Sequence, residues 1–421
     1  MKLTRSPLAP ERFPDLPLVR GVCAATASRG FYASRGLQRD DTMLFAFDEG
    51  TTAAGVFTRS ATASDDVEWC RRALVEGKGG GRALLVNAGN SNAFTGAFGK
   101  AKNAASVKAL SETFGVAEAE CFLAATGVIG EPLPRADYIA ELVPDMAARL
   151  APPEWETCAR AFMTTDTFPK GAGQVVKVAR RGFNVVGIAK GSGMIAPNMA
   201  TMLAYVFTDA KVSPDRLQRI TSSVADSTFN RISVDGDTST SDSLMVFATG
   251  ASGFDADEKA PPGTDRSPAY LLTAAIRNVM ESLAEQIVRD GEGAQKLIRI
   301  HVIGAESSDD ARKVGMSVAN SPLVKTAIAA GDANWGRIVM AIGKSGAQVN
   351  RDAFAIHFGN HLVACFGERA PDYDEALASA ACAGDEVEIT IHLGNPEGHS
   401  SSFLTCDLTH AYIDINGAYR T

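Results

Sequence analysis

The chain has 421 residues, too many for one ordinary core, which points to two or three lobes. Hydrophobic residues make up 45% and charged residues 21%, the balance of a folded protein and not of a disordered one. A net charge of −8 argues against nucleic acid or an anionic membrane as a general partner, and leaves room for a local basic pocket that takes a small acid.

The opening segment "MKLTRSPLAPERFPDLP" has no apolar h-region, so secretion is not expected, and no apolar run is long enough to span a membrane. Cysteines stand at 23, 70, 121, 158, 365, 382 and 406, an odd number with no CxxC. That usage fits a reducing, cytoplasmic setting with most of them acting as small buried residues.

Short apolar runs ending in Gly-containing turns predict buried strands at 83–89 ("ALLVNAG"), 121–130 ("CFLAATGVIG"), 183–191 ("FNVVGIAKG") and 201–209 ("TMLAYVFTD"). Ser213-Pro214 opens a helix with Leu217, Ile220 and Val224 on one face. The polar, Pro-containing stretch 255–268 is a candidate lobe boundary. Ser267-Pro268 then opens a long helix with Leu272, Ile276, Val279, Leu283 and Ile287 on one stripe, and Ser321-Pro322 opens a third that Gly331 is placed to close. In each case Ser is positioned to cap free amides and Pro fits the first turn. The alternating "EVEITIHLG" (386–394) predicts a half-buried strand. The mixture indicates α/β or α+β layers.

Three motifs resemble sites without meeting their requirements. "AIGKSG" (341–346) has Ile338 where a phosphate loop needs its first Gly. "DGDTSTSDS" (235–243) has Thr240 and Val246 where a calcium loop needs its turn Gly and bidentate Glu. "HFGNH" (357–361) lacks the metalloprotease Glu, and reads as two surface histidines on a strand or turn. No metal site is expected.

The segment "KGSGMIAPNMAT" (190–201) sets Gly191, Ser192, Gly193 and Pro197 just before a predicted strand. Flexible and rigid residues together are suited to holding one peptide bond off its relaxed geometry. A threonine hydroxyl needs a base, and a free α-amino group on the same residue, with a pKa of about 7.7–8.0, supplies one. Attack of the Thr201 hydroxyl on the Ala200 carbonyl, followed by hydrolysis of the ester, would make that amine. On pattern alone a Thr after a Gly/Pro turn is more often an ordinary strand start.

The stretch "KGSGMIAPNMATML" resembles the signature of the ornithine acetyltransferase family, also called the bifunctional arginine biosynthesis protein. "NAGNSNAFTG" (87–96), "ATGVIGEPLP" (125–134), "MTTDTFPK" (163–170), "FNRISVDGDTSTSDS" (229–243), "GDANWGRI" (331–338) and "YIDINGAYRT" (412–421) match in the family's order, so the likeness covers nearly the whole chain. Ala333, usually Pro, and Phe94, often Cys, depart from the pattern at positions with no proposed chemistry.

The resemblance implies a self-cleaving, N-terminal-nucleophile-like α/β fold of the ornithine acetyltransferase and DmpA type. It implies cleavage between Ala200 and Thr201 into an α chain, 1–200, and a β chain, 201–421, that stay together, in the family usually as α2β2. The implied reaction moves an acetyl group from N-acetylornithine to glutamate through an ester on Thr201, without a cofactor; some members also use acetyl-CoA as a substrate. Thr126 and Gly127 match the oxyanion pair. Thr164, Lys190, Thr201, Glu292, Asn416 and Thr421 match substrate-binding positions, with Lys190 suited to an α-carboxylate and Glu292 to an amino group. An aminopeptidase or amidase of related fold, with water as acceptor, is the alternative reading.

Overall fold

In a computed structural model, the described residues are 4–33, 36, 38–178, 181–196, 202–259 and 266–418. Among them the strands form three sheets, and alternation of side chains along each strand sets the layers. The first sheet runs Val22–Ala27, Thr42–Phe47, Ala83–Asn90, Cys121–Val128. The second runs Thr52–Phe57, Ser243–Ala248, Leu203–Thr208, Arg181–Lys190, Lys170–Val178. One face of each meets the other: Phe45, Phe47 and Phe122 pack on Tyr205, Phe207 and Phe247. Ring centroids are 4.7 Å apart for Phe45 and Phe207, and 4.3 Å for Phe47 and Phe247. Aromatic side chains bury large apolar areas, so this layer is a principal source of cohesion.

The opposite faces take helices. Leu44, Leu85 and Leu123 of the first sheet pack on Val107 and Leu110 of the helix Ala97–Phe114. Val206 and Val246 of the second pack on Leu217, Ile220 and Val224 of the helix Pro214–Ser227, and on Leu272, Ile276, Val279, Leu283 and Ile287 of the helix Pro268–Arg289. The stripes predicted for both helices are thus the buried faces. The result is helices, sheet, sheet, helices.

The third sheet has seven strands in the order Glu368–Arg369, His361–Cys365, Ala355–Phe358, Glu386–His392, Leu297–Ala305, His399–Cys406, Ile232–Ser233. Its own core joins Ile298, Ile300 and Val302 to Val314 and Val318 of the helix Ser308–Ala319, and to Ile338 and Ile342 of the helix Trp335–Gly343. Leu297 and Cys406 reach from this sheet into the cluster around the helix Pro268–Arg289.

Several expectations meet the structure in detail. The predicted strands appear as Ala83–Asn90, Cys121–Val128, Arg181–Lys190, Leu203–Thr208 and Glu386–His392. Ser267 and Ser321 cap their helices, accepting from the amides of Tyr270 (3.2 Å) and Val324 (3.4 Å). Ser213 does not: its side chain makes no capping bond. Instead Asp257 reaches over to accept the Ser213 amide at 2.6 Å. Gly331, at φ +72°, follows the helix Pro322–Ala329 in the left-handed conformation that ends helices.

The connection 255–268, of which 260–265 lie outside the described residues, joins elements of one core: Val246 and Phe254 before it and Ala256 within it share a cluster with Leu272 and Ile276 after it. His357 and His361 are half-buried instead of lying at the surface, because their strands pair antiparallel; His357 meets His392 edge-on at 5.3 Å. "AIGKSG" sits at the C-terminal end of a helix, where the free groups are carbonyls that would repel a phosphate. All seven cysteines are free; six are buried and Cys23 is half-buried. No helix among the described residues is long and apolar enough to cross a membrane.

Candidate functional site

Two strand ends from the two stacked sheets create the site. Thr126 and Gly127 lie near the end of Cys121–Val128. Gly127 has φ +135°, and a Cβ there would stand 2.4 Å from the Gly89 carbonyl carbon, so only glycine fits. Lys190 ends Arg181–Lys190 and is 5% exposed. Its ammonium donates to Thr126 Oγ1 at 3.2 Å. Because that oxygen accepts from Lys190, the Thr126 proton is left to donate elsewhere.

Thr164, Glu292 and Asn416 arrive from three separate turns and helices. The Thr164 amide donates to Asp166 Oδ2 at 2.9 Å. Glu292 stands in the turn after the helix Pro268–Arg289, its amide donating to the Ser192 carbonyl at 3.0 Å. Its carboxylate fills the space that a Cβ at Gly193 would need, 2.5 Å away. This is a physical reason for the second glycine of "KGSG". Asn416, on the helix His410–Ala418, donates to Glu292 Oε2 at 2.7 Å.

Thr126, Gly127, Thr164, Lys190, Glu292 and Asn416 all line one cavity of about 380 Å³. Every predicted site residue within the described residues is therefore in the same place. Ala200, Thr201 and Thr421 lie outside the described residues. A larger cleft of about 880 Å³, between Pro7–Pro14 and the helix Pro268–Arg289, holds none of these residues; chemistry, not size, selects the smaller one.

Sequence reasoning missed several residues of the cavity wall. Asp235 accepts the Met194 and Ile195 amides at 2.6 and 2.9 Å and the Tyr412 hydroxyl at 3.3 Å. Ser91, Ser239 and Ser241 add hydroxyls. The segment rejected as a calcium loop thus folds into the wall of this cavity. Its density of acids and hydroxyls was the available signal, but nothing local says which cavity it faces. Among the described residues no group of three His, Cys, Asp or Glu is placed to hold a metal ion.

Burial governs the electrostatics. It pushes the Lys190 pKa down, against the charges of Asp166, Asp242 and Glu292, while Lys170 pushes it further down. Burial raises Glu292, with hydrogen bonds from Thr165 and Asn416 drawing it back and Asp235 adding to the rise. Asp242 is raised well above the usual carboxylate range by full burial; the Met202 amide and Lys190 pull it down. The cavity therefore offers one buried cation, facing carboxylates, and a hydroxyl with a free proton. Such a set matches a small amino acid that carries both an ammonium and a carboxylate.

A model of the ArgJ family matches residues 25–421. The arginine biosynthesis bifunctional protein ArgJ of Bradyrhizobium diazoefficiens is 49% identical over 424 residues, covering 100% of both chains. That of Brucella suis is 48% identical over 423 residues, again covering 100% of both. A solved structure, the arginine biosynthesis bifunctional protein argJ from Bacillus halodurans, is 39% identical, with a TM-score of 0.46; the match covers 50% of this chain and 96% of that one.

Proposed function

The chain belongs to the ArgJ family, and from that premise we propose that it is a glutamate N-acetyltransferase of arginine biosynthesis. It moves an acetyl group from N-acetylornithine to glutamate, giving ornithine and N-acetylglutamate. The observation that carries this reading is the convergence of Thr126, Gly127, Thr164, Lys190, Glu292 and Asn416 on one cavity.

The chemistry runs in two half-reactions on Thr201. Its hydroxyl attacks the acetyl carbonyl, its α-amine takes the proton, and ornithine leaves with that proton. The α-amino group of glutamate then attacks the acetyl ester, and Thr201 regains its hydroxyl. Each tetrahedral intermediate places negative charge on the former carbonyl oxygen, for which the Thr126 hydroxyl and the Gly127 N–H are donors. Lys190 holds the α-carboxylate that both substrates share, and Glu292 the amino group of ornithine. Thr164, Asn416 and Thr421 complete the substrate contacts.

The α-amine exists only if the Ala200–Thr201 bond is cut. Cleavage yields chains 1–200 and 201–421, which stay joined because Val185–Lys190 pairs antiparallel with Leu203–Thr208 across the point of cleavage. Two such pairs make an α2β2 assembly. A cytoplasmic setting is supported by seven unpaired cysteines. At about 380 Å³ the cavity suits an amino acid and not a whole coenzyme A, so acetyl-CoA as a second donor would insert only its acetyl end.

The test is mass spectrometry of the purified protein incubated with N-acetylornithine alone. The expected result is two chains, with one acetyl group on the chain beginning at Thr201, lost again when glutamate is added. Thr201→Ala should remain a single uncut chain. An uncut but fully active wild-type protein would refute the mechanism. Acetate release in place of N-acetylglutamate would favour the amidase reading.

A further inference from the structure

Beneath the cavity lies a charged cluster that the acetyl-transfer chemistry does not use. The side chains of Asp166, Lys170 and Asp290 are all 0% exposed. Lys170 donates to Asp166 Oδ1 at 2.7 Å and to Asp290 Oδ2 at 2.6 Å. Burying three charged groups is costly, and an apolar set of the same volume would often serve stability as well or better. Their connections indicate another role. Asp166 accepts the Thr164 amide at 2.9 Å through one oxygen, and the Gly191 amide at 2.7 Å through the other. Asp290 accepts the Thr167 amide at 2.9 Å, and its carbonyl accepts the Ser192 hydroxyl at 2.7 Å. Glu292 follows Asp290 by two residues. The cluster thus ties together the three segments that carry Thr164, Lys190 and Glu292.

We infer that Asp166 is a positioning residue for this site: its carboxylate clamps the Thr164 and Gly191 amides and keeps a negative charge behind the Lys190 ammonium. The inference rests on the proposed role of Lys190 as the carboxylate anchor. Burial alone would raise Asp166, but Lys170 and Lys190 overcome it and hold the carboxyl below its usual range, so the negative charge persists. The charged groups facing Lys190 are Asp166, Lys170, Asp242 and Glu292, and Asp166 exerts the largest effect of the four. Lys190 is a base whose charged form burial disfavours. Removing the Asp166 charge disfavours that form further, so Lys190 loses its proton at lower pH.

Asp166→Asn and Asp166→Glu test this, with initial rates measured against glutamate concentration across the alkaline range. Asp166→Asn should raise the glutamate KM roughly 10-fold or more. It should also move the alkaline fall of kcat/KM to lower pH, which a merely structural loss would not do. Asp166→Glu keeps the charge and lengthens the arm, so the alkaline limb should return to its wild-type position while KM stays raised. A wild-type limb in Asp166→Asn would overturn the inference; should that variant not fold, a wild-type KM in Asp166→Glu would overturn it equally. Lys190→Met separates the two levels. If it leaves the glutamate KM unchanged, the Lys190 assignment fails. If it raises KM while both Asp166 variants match wild type, the present inference alone fails.

Discussion

Replacing Lys190 by Met probes the carboxylate anchor with little change of shape. The side chain is 5% exposed, so neither bulk water nor salt screens its charge appreciably. A hydrogen bond from a charged group contributes about 1.5–3 kcal/mol. At about 1.4 kcal/mol per tenfold change, kcat/KM should fall roughly 10- to 150-fold for both N-acetylornithine and glutamate. The fold should survive, because Asp166 keeps Lys170 as its partner at 2.7 Å. The assay compares glutamate with 4-aminobutanoate, which lacks the α-carboxylate, as acetyl acceptors. The variant should lose its preference for glutamate while the slow reaction with 4-aminobutanoate is little changed. An equal fall with both acceptors would refute the anchor and assign Lys190 to chemistry or maturation, through its hydrogen bond to Thr126.

Thr126→Val keeps the shape and removes the proposed oxyanion donor. It should slow both acetylation by N-acetylornithine and transfer to glutamate by about 100- to 1,000-fold in single-turnover experiments normalised to the cleaved fraction. A matured variant with near-normal rates in both steps would return "ATGVIG" to a plain strand end. Asp242→Asn should stabilise the protein at neutral and alkaline pH. The folded pKa of Asp242 is raised, so ionisation opposes folding above the unfolded pKa, and the penalty is fully present above the folded pKa and absent in acid. Removing a buried carboxylate whose charge burial disfavours is worth about 1–3 kcal/mol. Thermal melts should show a gain at pH 8 and almost none near pH 4; a pH-independent shift would contradict this account.

The parts of this structure legible from sequence are those set by local chemistry. Ser-Pro before a 3.6-residue stripe marks a helix start wherever it occurs, and the stripe of Leu272 to Ile287 is the buried face. At 213 the same signal names the start correctly but not the cap: the Ser213 side chain makes no capping bond, and the Ser213 amide itself donates to Asp257, 44 residues away. The stretch 255–268 has the composition of a linker, yet a surface connection within one core has that composition too. Sheet order was not legible, since Thr52–Phe57 pairs with Ser243–Ala248 across nearly half of the chain. For the site, family motifs pointed to Thr126, Lys190 and Glu292. Asp166 and Asp290 were out of reach because their meaning lies in contacts to Gly191 and Lys170, 25 and 120 residues distant.

The same topology bears on why a chain would put its proposed nucleophile at an internal position. Thr126, Gly127, Thr164 and Lys190 precede the proposed cut, whereas Glu292 and Asn416 follow it. Neither piece alone holds the cavity. What unites them is not the bond at Ala200 but the ladder from Val185–Lys190 to Leu203–Thr208, and the aromatic layer in which Phe45, Phe47 and Phe122 meet Tyr205, Phe207 and Phe247. Both lie in the interior, are made of many small contributions and rest on residues other than Ala200 and Thr201, so a cut between those two would subtract little from them. The release of an α-amine therefore need not loosen the site. Lys190 pairs with Leu203, and only Met202 separates Leu203 from Thr201. The strand that would open the proposed second chain is therefore paired, from Leu203, with the cation proposed to anchor the substrate.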